Sequence, residues 1–407
     1  MGGRLLRCCV LMLALATSAT AGAVSDGVVR VLVLTDLKGA FSDVVGQGTV
    51  VASELAVEDV GETVAGAPVE LVVRDSGADP EQALAAFEAV HESTPVDLVT
   101  GHMTVQVGRH IQPYAESEGV AIIHTGTSSD SLTNEACSPV GMHWIFDMHA
   151  VGEGIGSMVR GGADRWFFLV ADYVYGQQLR DRAAEDVLAA GGSIAGERMV
   201  AYPVTDLMEP FADAFATNPD AVALAVGTED IENAIRASYE PRSLAGDARG
   251  DVRLVVMELY IANLRRLGPY VTQGLEFVTS FYWNRNEATR AWSERFRRLQ
   301  GAVPTSLQAA TYSAVRHYLE AVAAVGDDDT ATVLEAMRER PVDDGVFATD
   351  GYVRADGQMI HDLYQVTVKP PTEITRAADY LRIQRTLPGD EVFLPLSESR
   401  CERVAGY

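Results

Sequence analysis

The sequence predicts an α/β protein built as two open lobes, each a largely parallel sheet with helices between its strands. Three observations predict it. Short apolar runs recur along the chain, capped helical patterns separate them, and a break in the rhythm near 134–141 divides the runs into two sets. Runs of this kind read as strands buried on both faces, and strands alternating with helices make βαβ units.

Four runs precede the break: VVRVLVL (28–34), VELVVR (69–74), VDLVTG (96–101) and VAIIHTG (120–126). Three follow it: RWFFLVA (165–171), AVALAVG (221–227) and VRLVVM (252–257). Between them, DPEQALAAFEAVHES opens on Asp79 as N-cap with Pro80 at the first helical position, and Gln82 is placed to close a capping box. Leu84, Phe87 and His91 then share a face, as do Phe211 and Phe215, then Trp292, Phe296 and Leu299, then Val315, Tyr318, Leu319 and Val322. Core packing explains each stripe. Near the end, ATDGYVRADGQMIHDLYQVTVK carries two Asp-Gly pairs among alternating residues, the mark of a β-hairpin. Its acids lack the spacing of a calcium loop.

Residues 1–23 read as a secretory signal peptide. Arg4 and Arg7 precede an apolar core, and Ala19-Thr20-Ala21 or Ala21-Gly22-Ala23 offers a cleavage site. The core is too short to span a membrane. Cys8 and Cys9 come before it, where a lipoprotein cysteine would follow it. Export to the periplasm as an unanchored protein is therefore expected. It leaves Cys137 and Cys401, which either pair or stay as two buried thiols; pairing is the commoner fate in an oxidising compartment.

The 407 residues, 47% of them apolar, suffice for two domains with real cores. The net charge of −25 argues against nucleic acid and anionic membrane surfaces as partners.

In open α/β sheets, ligands bind outside the carboxyl ends of the strands. Here those ends lead into TDLKGAFSDVVGQG, GHMTVQVG, HTGTSSDS, ADYVYGQQ, GTED and ELY. They hold small, hydroxyl and aromatic residues with a few acids. Neither GxGxxG nor a phosphate loop occurs, so no nucleotide cofactor is expected. HTGTSSDS (124–131) raises the question of a nucleophile, but Gly126-Thr127-Ser128-Ser129-Asp130 lacks the second glycine of a nucleophile elbow. His124 stands too close to serve as its base, and packs or faces solvent. Asp130 reads as a cap on the turn that follows. His143 and His149 around Asp147, and His102 with His110, match no metal-ligand spacing. Neither catalysis nor a metal or cofactor is expected from these residues.

Blocks in order along the chain then resemble a known family. GQGTVVASELAVEDVG (46–61), VELVVRDSGADPEQA (69–83) and ADYVYGQQL (171–179) resemble the first helix, second strand and second-lobe opening of periplasmic solute-binding proteins of the branched-chain amino acid type, which feed ABC transporters. HWIFD, FYWNRNEATRAWSERF, RADGQMIHDLYQVTVK and LPGDEVFLPLSESRC are similar to a subgroup of that family. The resemblance implies a type I periplasmic binding fold: two Rossmann-like lobes, a hinge crossed three times, and a ligand between them. It places lobe one at 27–146 and 276–350, lobe two at 147–275 and 351–385, and a tail, 386–407, returning to lobe one. It also supports a Cys137–Cys401 disulfide.

The resemblance further implies a site. Met103 and Thr104 in one loop, and Thr127, Ser128 and Ser129 in another, would hold a carboxylate with hydroxyls and N–H groups at helix N-termini. Tyr173 would supply an aromatic contact, and Glu258 would meet an ammonium group. Phe41, Tyr260, Tyr282 and Trp283 would supply apolar walls. Gly227 falls where the family often has an aromatic residue. The implied function is capture of a small polar or carboxylate, amino acid-like ligand by a monomer for a membrane permease. The alternative is a ligand-sensing receptor of the same fold for an aromatic acid, amide or urea-like molecule.

Overall fold

The computed structural model describes residues 24–404 except 103, 161–163, 202, 228–229 and 246–251. The signal-peptide segment and Met103 lie outside the described residues. The chain runs β1 (Val29–Thr35), α1 (Gly46–Val60), β2 (Thr63–Val64), β3 (Ala67–Asp75), α2 (Pro80–Ser93), β4 (Leu98–Thr100), α3 (Val105–Glu118), β5 (Ala121–His124), β6 (Gly141–His143) and α4 (Met148–Gly156). It continues through β7 (Arg165–Ala171), α5 (Val174–Ala189), β8 (Ser193–Val200), α6 (Met208–Ala216), β9 (Ala221–Ala225), α7 (Ile231–Ala245), β10 (Arg253–Val256), α8 (Ile261–Leu267), α9 (Pro269–Thr272) and β11 (Leu275–Thr279). The last part holds α10 (Glu287–Gln300), α11 (Ser306–Val325), α12 (Thr330–Glu339), β12 (Tyr352–Val353), β13 (Met359–Ile360), β14 (Leu363–Val368), β15 (Leu381–Leu387) and α13 (Gly389–Val392).

Among the described residues, two large sheets form. The first has the order β2-β3-β1-β4-β5-β6 and the second β15-β14-β11-β10-β9-β7-β8. From β3 to β6 the first is parallel, as is the second from β11 to β8. Strand β14 runs antiparallel to β11 and to β15. The strand order reverses between β1 and β4 in one sheet and between β7 and β9 in the other. A doubly wound sheet opens a crevice at such a switch point.

Every residue of β1, β5 and β9 is buried. On β7 the side chains alternate between two cores: Trp166, Phe168 and Val170 on one face, Phe167, Leu169 and Ala171 on the other. That period-two division is how a continuous apolar run serves two helical layers. Strand β3 departs from the expectation. Its residues are mostly half-exposed, because only the two-residue β2 lies beyond it at that edge.

The helix signals hold in part. Asp79 accepts from Gln82 N at 2.8 Å, although the Gln82 side chain turns away to Asp75 O, leaving the capping box half made. Helix α11 is buried along nearly its whole length and includes Val315, Tyr318, Leu319 and Val322. Trp292 and Phe296 pack in the first core, whereas Leu299 is 60% exposed. Leu299 keeps the phase of Trp292, since seven steps of 100° fall only 20° short of two turns, but it lies in the last turn of α10.

The hairpin expected from the Asp-Gly pairs is β12 and β13, joined through the turn where Gly357 N donates to Arg354 O at 3.0 Å. Val353 and Met359 pack in the first core, and His143 N donates to Gly357 O at 2.9 Å. Strand β11 belongs to the second sheet, between β10 and β14. A division at 275/276 would cut this strand from its neighbours, and one at 350/351 would part the hairpin from the core it covers. The tail meets lobe one as well: Cys137 and Cys401 are disulfide-bonded, and Arg400 N donates to Asn134 Oδ1 at 2.9 Å. No helix of the described residues is long and apolar enough to cross a membrane.

Candidate ligand-binding site

In the first lobe, β4 and β5 deliver the two expected loops at adjacent strand ends. Thr104 caps α3, its hydroxyl accepting from Val107 N at 3.3 Å. It does so at φ 76°, a conformation a β-branched residue rarely adopts. Strain of this kind gathers where surrounding structure over-determines the backbone.

His124, at the end of β5, neither packs apolarly nor faces solvent. It is buried, with Nδ1 2.7 Å from His102 Nε2 and Nε2 2.8 Å from Gln112 Oε1. Burial lowers both histidines, His102 to about 3 and His124 well below its ordinary value. Gly108 on α3 makes room for the pair, since a Cβ there would lie 3.1 Å from the His124 ring and 3.2 Å from that of His102.

The hydroxyl loop is anchored from several sides. His143 Nε2 lies 2.6 Å from Thr127 O, and Thr311 donates to the Thr125 hydroxyl at 2.9 Å. Thr127 is buried, and Ser128 and Ser129 are half-buried. Ser129 accepts from Ser131 N at 3.3 Å and so caps the short turn Asp130–Thr133. Asp130 does not cap that turn. Its Oδ1 accepts from His149 N at 3.1 Å, so a first-lobe carboxylate sits at the N-terminus of α4 beside Asp147, which accepts from Ala150 N at 2.7 Å. The helix end attracts both acids because its N–H groups are unpaired and its dipole is positive there. Burial, then the Asp130 charge, raises Asp147 to about 7.

In the second lobe, Tyr173 precedes α5 and its hydroxyl accepts from Gly227 N at 2.6 Å, tying the ends of β7 and β9 together. Gly176 explains the Tyr-Gly motif physically: a Cβ there would lie 2.5 Å from Ala171 O and 3.0 Å from Ala225 O. Glu258 follows β10, is buried, and accepts from the Tyr260 hydroxyl at 2.7 Å. The Tyr282 hydroxyl donates to Asp379 Oδ1 at 2.5 Å, and Trp283 Nε1 donates to Ala378 O at 2.8 Å. Tyr260, Tyr282 and Trp283 come together around one small cavity with Phe281 and Pro304.

Phe41 lies on the loop after β1. Buried Asp36 shapes that loop, its two oxygens accepting from Gly39 N at 2.6 Å and Phe41 N at 2.9 Å. Phe41, Val44 and Val45 then share a core with Met257, Tyr260 and Ala262 of the second lobe. The two lobes are thus in contact through apolar side chains.

A second cavity, of about 940 Å³, opens between α3 and α5. Ser129 is the expected residue on its wall; Arg109, Gln178 and Arg182 line it too. These stand one or two turns inside helices, away from the strand ends where a sequence reading looks. Helical phase counted from each strand end is the signal that points to them. No group of three or more metal-ligating side chains is present among the described residues.

Two doubly wound lobes with polar loops at their facing strand ends define a two-lobed binder. A family model described as "Periplasmic binding protein" matches residues 28–373, and the chain belongs to that family, one of binding proteins and not of enzymes. A periplasmic binding protein from Burkholderia mallei is 34% identical, with 93% of this chain and 99% of that one covered at a TM-score of 0.82. A branched-chain amino acid ABC transporter periplasmic ligand-binding protein from Burkholderia xenovorans is 27% identical, with 92% and 100% covered at 0.87. A solute-binding protein of an ABC transporter from Rhodopseudomonas palustris, in complex with 3,4-dihydroxybenzoic acid, shares the fold at 17% identity, with 91% and 99% covered at 0.74. No curated protein matches the chain.

Proposed function

We propose that this chain is the extracytoplasmic solute-binding component of an ABC importer, capturing a small carboxylate, amino acid-like ligand between its lobes and passing it to a membrane permease as a monomer. The observation that carries this reading is the placement of Thr104 and the 127–129 loop at the ends of β4 and β5, with Tyr173 and Glu258 at the ends of β7 and β10. Hydroxyls and the N-terminus of α3 suit a carboxylate, and a buried acid suits an ammonium. Lobe boundaries near 146, 280 and 361 keep every strand with its sheet.

The grouping of Tyr260, Tyr282 and Trp283 favours a second reading, an aromatic acid as ligand, whether for transport or for sensing through a separate partner. A thermal-shift screen of amino acids, short amides and aromatic acids separates the two. A ligand at 100 times its Kd adds about 2.7 kcal/mol of stability. Shifts by amino acids alone support the first reading, shifts by aromatic acids alone the second, and no shift from any of them overturns small-molecule capture.

A further inference from the structure

Arg266 sits on α8 of the second lobe, between β10 and β11, and Asp43 on the loop between β1 and α1 of the first. They form an ion pair across 223 residues of sequence. The same guanidinium donates from Nε to Glu232 Oε1 at 2.6 Å, so two carboxylates from opposite lobes share one arginine. Glu232 in turn accepts from Asn263 Nδ2 at 3.0 Å. Asn263 Oδ1 accepts from Tyr260 N at 3.0 Å, and the Tyr260 hydroxyl donates to Glu258.

We infer that Asp43 and Arg266 form an electrostatic latch that holds the lobes closed, with Glu232 positioning the arginine. The geometry supports this in three ways. The pair joins the β1–α1 loop to helix α8, and among the described residues no backbone hydrogen bond or shared strand connects the two, so it exists only while the lobes meet. Asp43 lies on the same loop as Phe41, Val44 and Val45, which share one buried apolar cluster with Met257 and Tyr260, so opening disturbs that cluster as the pair breaks. Glu232 Oε1 accepts from Nε and pairs with Nη2 of the guanidinium, and a fork held in this way loses less side-chain freedom on pairing with Asp43 than a free one. Arg266 is about one-third exposed and Asp43 about half, so the latch lies at the rim, where salt reaches it.

The chain of bonds from Arg266 to Glu258 links this latch to the acid assigned to the ligand. That link rests on the function proposed above; the latch itself does not. The experiment therefore uses the mature protein without ligand. Small-angle scattering and amide exchange of segments 38–48 and 258–266 are compared for the wild type, Asp43→Lys, Arg266→Glu and the double exchange. Both single reversals are expected to raise the radius of gyration and speed exchange in both segments. The double exchange is expected to return them to the wild-type range. High salt is expected to move the wild type towards the single variants. Far-UV circular dichroism checks that each variant folds, which the exposure of both residues favours. Wild-type scattering and exchange in both single variants would overturn the latch. So would a folded double exchange that stays as open as the single variants. Neither result would touch the ligand screen.

Discussion

His102 Nε2 donates to His124 Nδ1 at 2.7 Å inside the first lobe, and the direction of that bond is set by the next one. Gln112 donates to Ala136 O at 2.6 Å, so its Oε1 faces His124 Nε2 as acceptor. His124 must therefore carry its proton on Nε2, leaving Nδ1 to accept. Protonating His124 would set one N–H against another in a buried site.

This buried hydrogen-bonded pair predicts acid sensitivity. Burial holds His102 near 3 and His124 well below its ordinary value, and His361 near 4. A base depressed in the folded state contributes stability that is complete above the unfolded value near 6.5 and declines as pH falls below it. Urea midpoints of the wild type are expected to drop steadily from pH 6.5 towards 4. His124→Gln removes one such proton and is expected to flatten that limb. An unchanged slope in a folded variant would sink the assignment.

Asp147 predicts the opposite sign. Its folded value, about 7, lies above that of an unfolded aspartate, so its contribution is fully present below about 4 and is lost as pH rises through 7. Asp147→Asn keeps an oxygen for Ala150 N and removes the buried charge. Its melting temperature is expected to exceed the wild type's at pH 8 and to converge with it by pH 4. A variant equally shifted at both pH values would mean that packing, not charge, controls the start of α4.

The Cys137–Cys401 bond spans 264 residues and fastens the tail to the first lobe. Cys401→Ser is expected to lower stability by roughly 2–4 kcal/mol, mostly by freeing the unfolded chain. Chemical denaturation with and without reductant measures it, and reductant should bring the wild type to the variant's level. A wild type insensitive to reductant would contradict this.

Glu258 predicts ligand chemistry. Glu258→Gln retains an oxygen for the Tyr260 hydroxyl, so folding is expected to hold while thermal shifts by amino acids disappear. Losing a buried charge pair of this kind costs about 2–5 kcal/mol, a loss of thirtyfold or more. Amino-acid shifts of wild-type size in the variant would refute an ammonium contact.

Much of this was legible in the sequence where the signal is local. Asp79 and Pro80 mark the start of α2 because a cap and a pre-set φ act within one turn. Apart from the half-exposed β3, the apolar runs from 28 to 257 mark strands because burial on both faces leaves no polar alternation. Strands β6, β8 and β11 do not stand out in the sequence as apolar runs. GMH is short, SIAGERMV is polar where it lies on the sheet edge, and LEFVT carries Glu276, whose charge meets Arg160 and Arg253.

By itself, then, the sequence determined the alternation of strands and helices, their caps, the hydroxyl and acidic loops at the strand ends, and the cysteines available to pair. Tertiary structure alone decided that β11 joins the second sheet, that Asp130 caps a helix of the other lobe, that His102 and His124 share a hydrogen bond, and that Asp43 meets Arg266. The reason is the range of the forces. Propensity and periodicity act over a few residues, whereas each of those four relationships depends on where two distant stretches of backbone come to lie once the cores have closed.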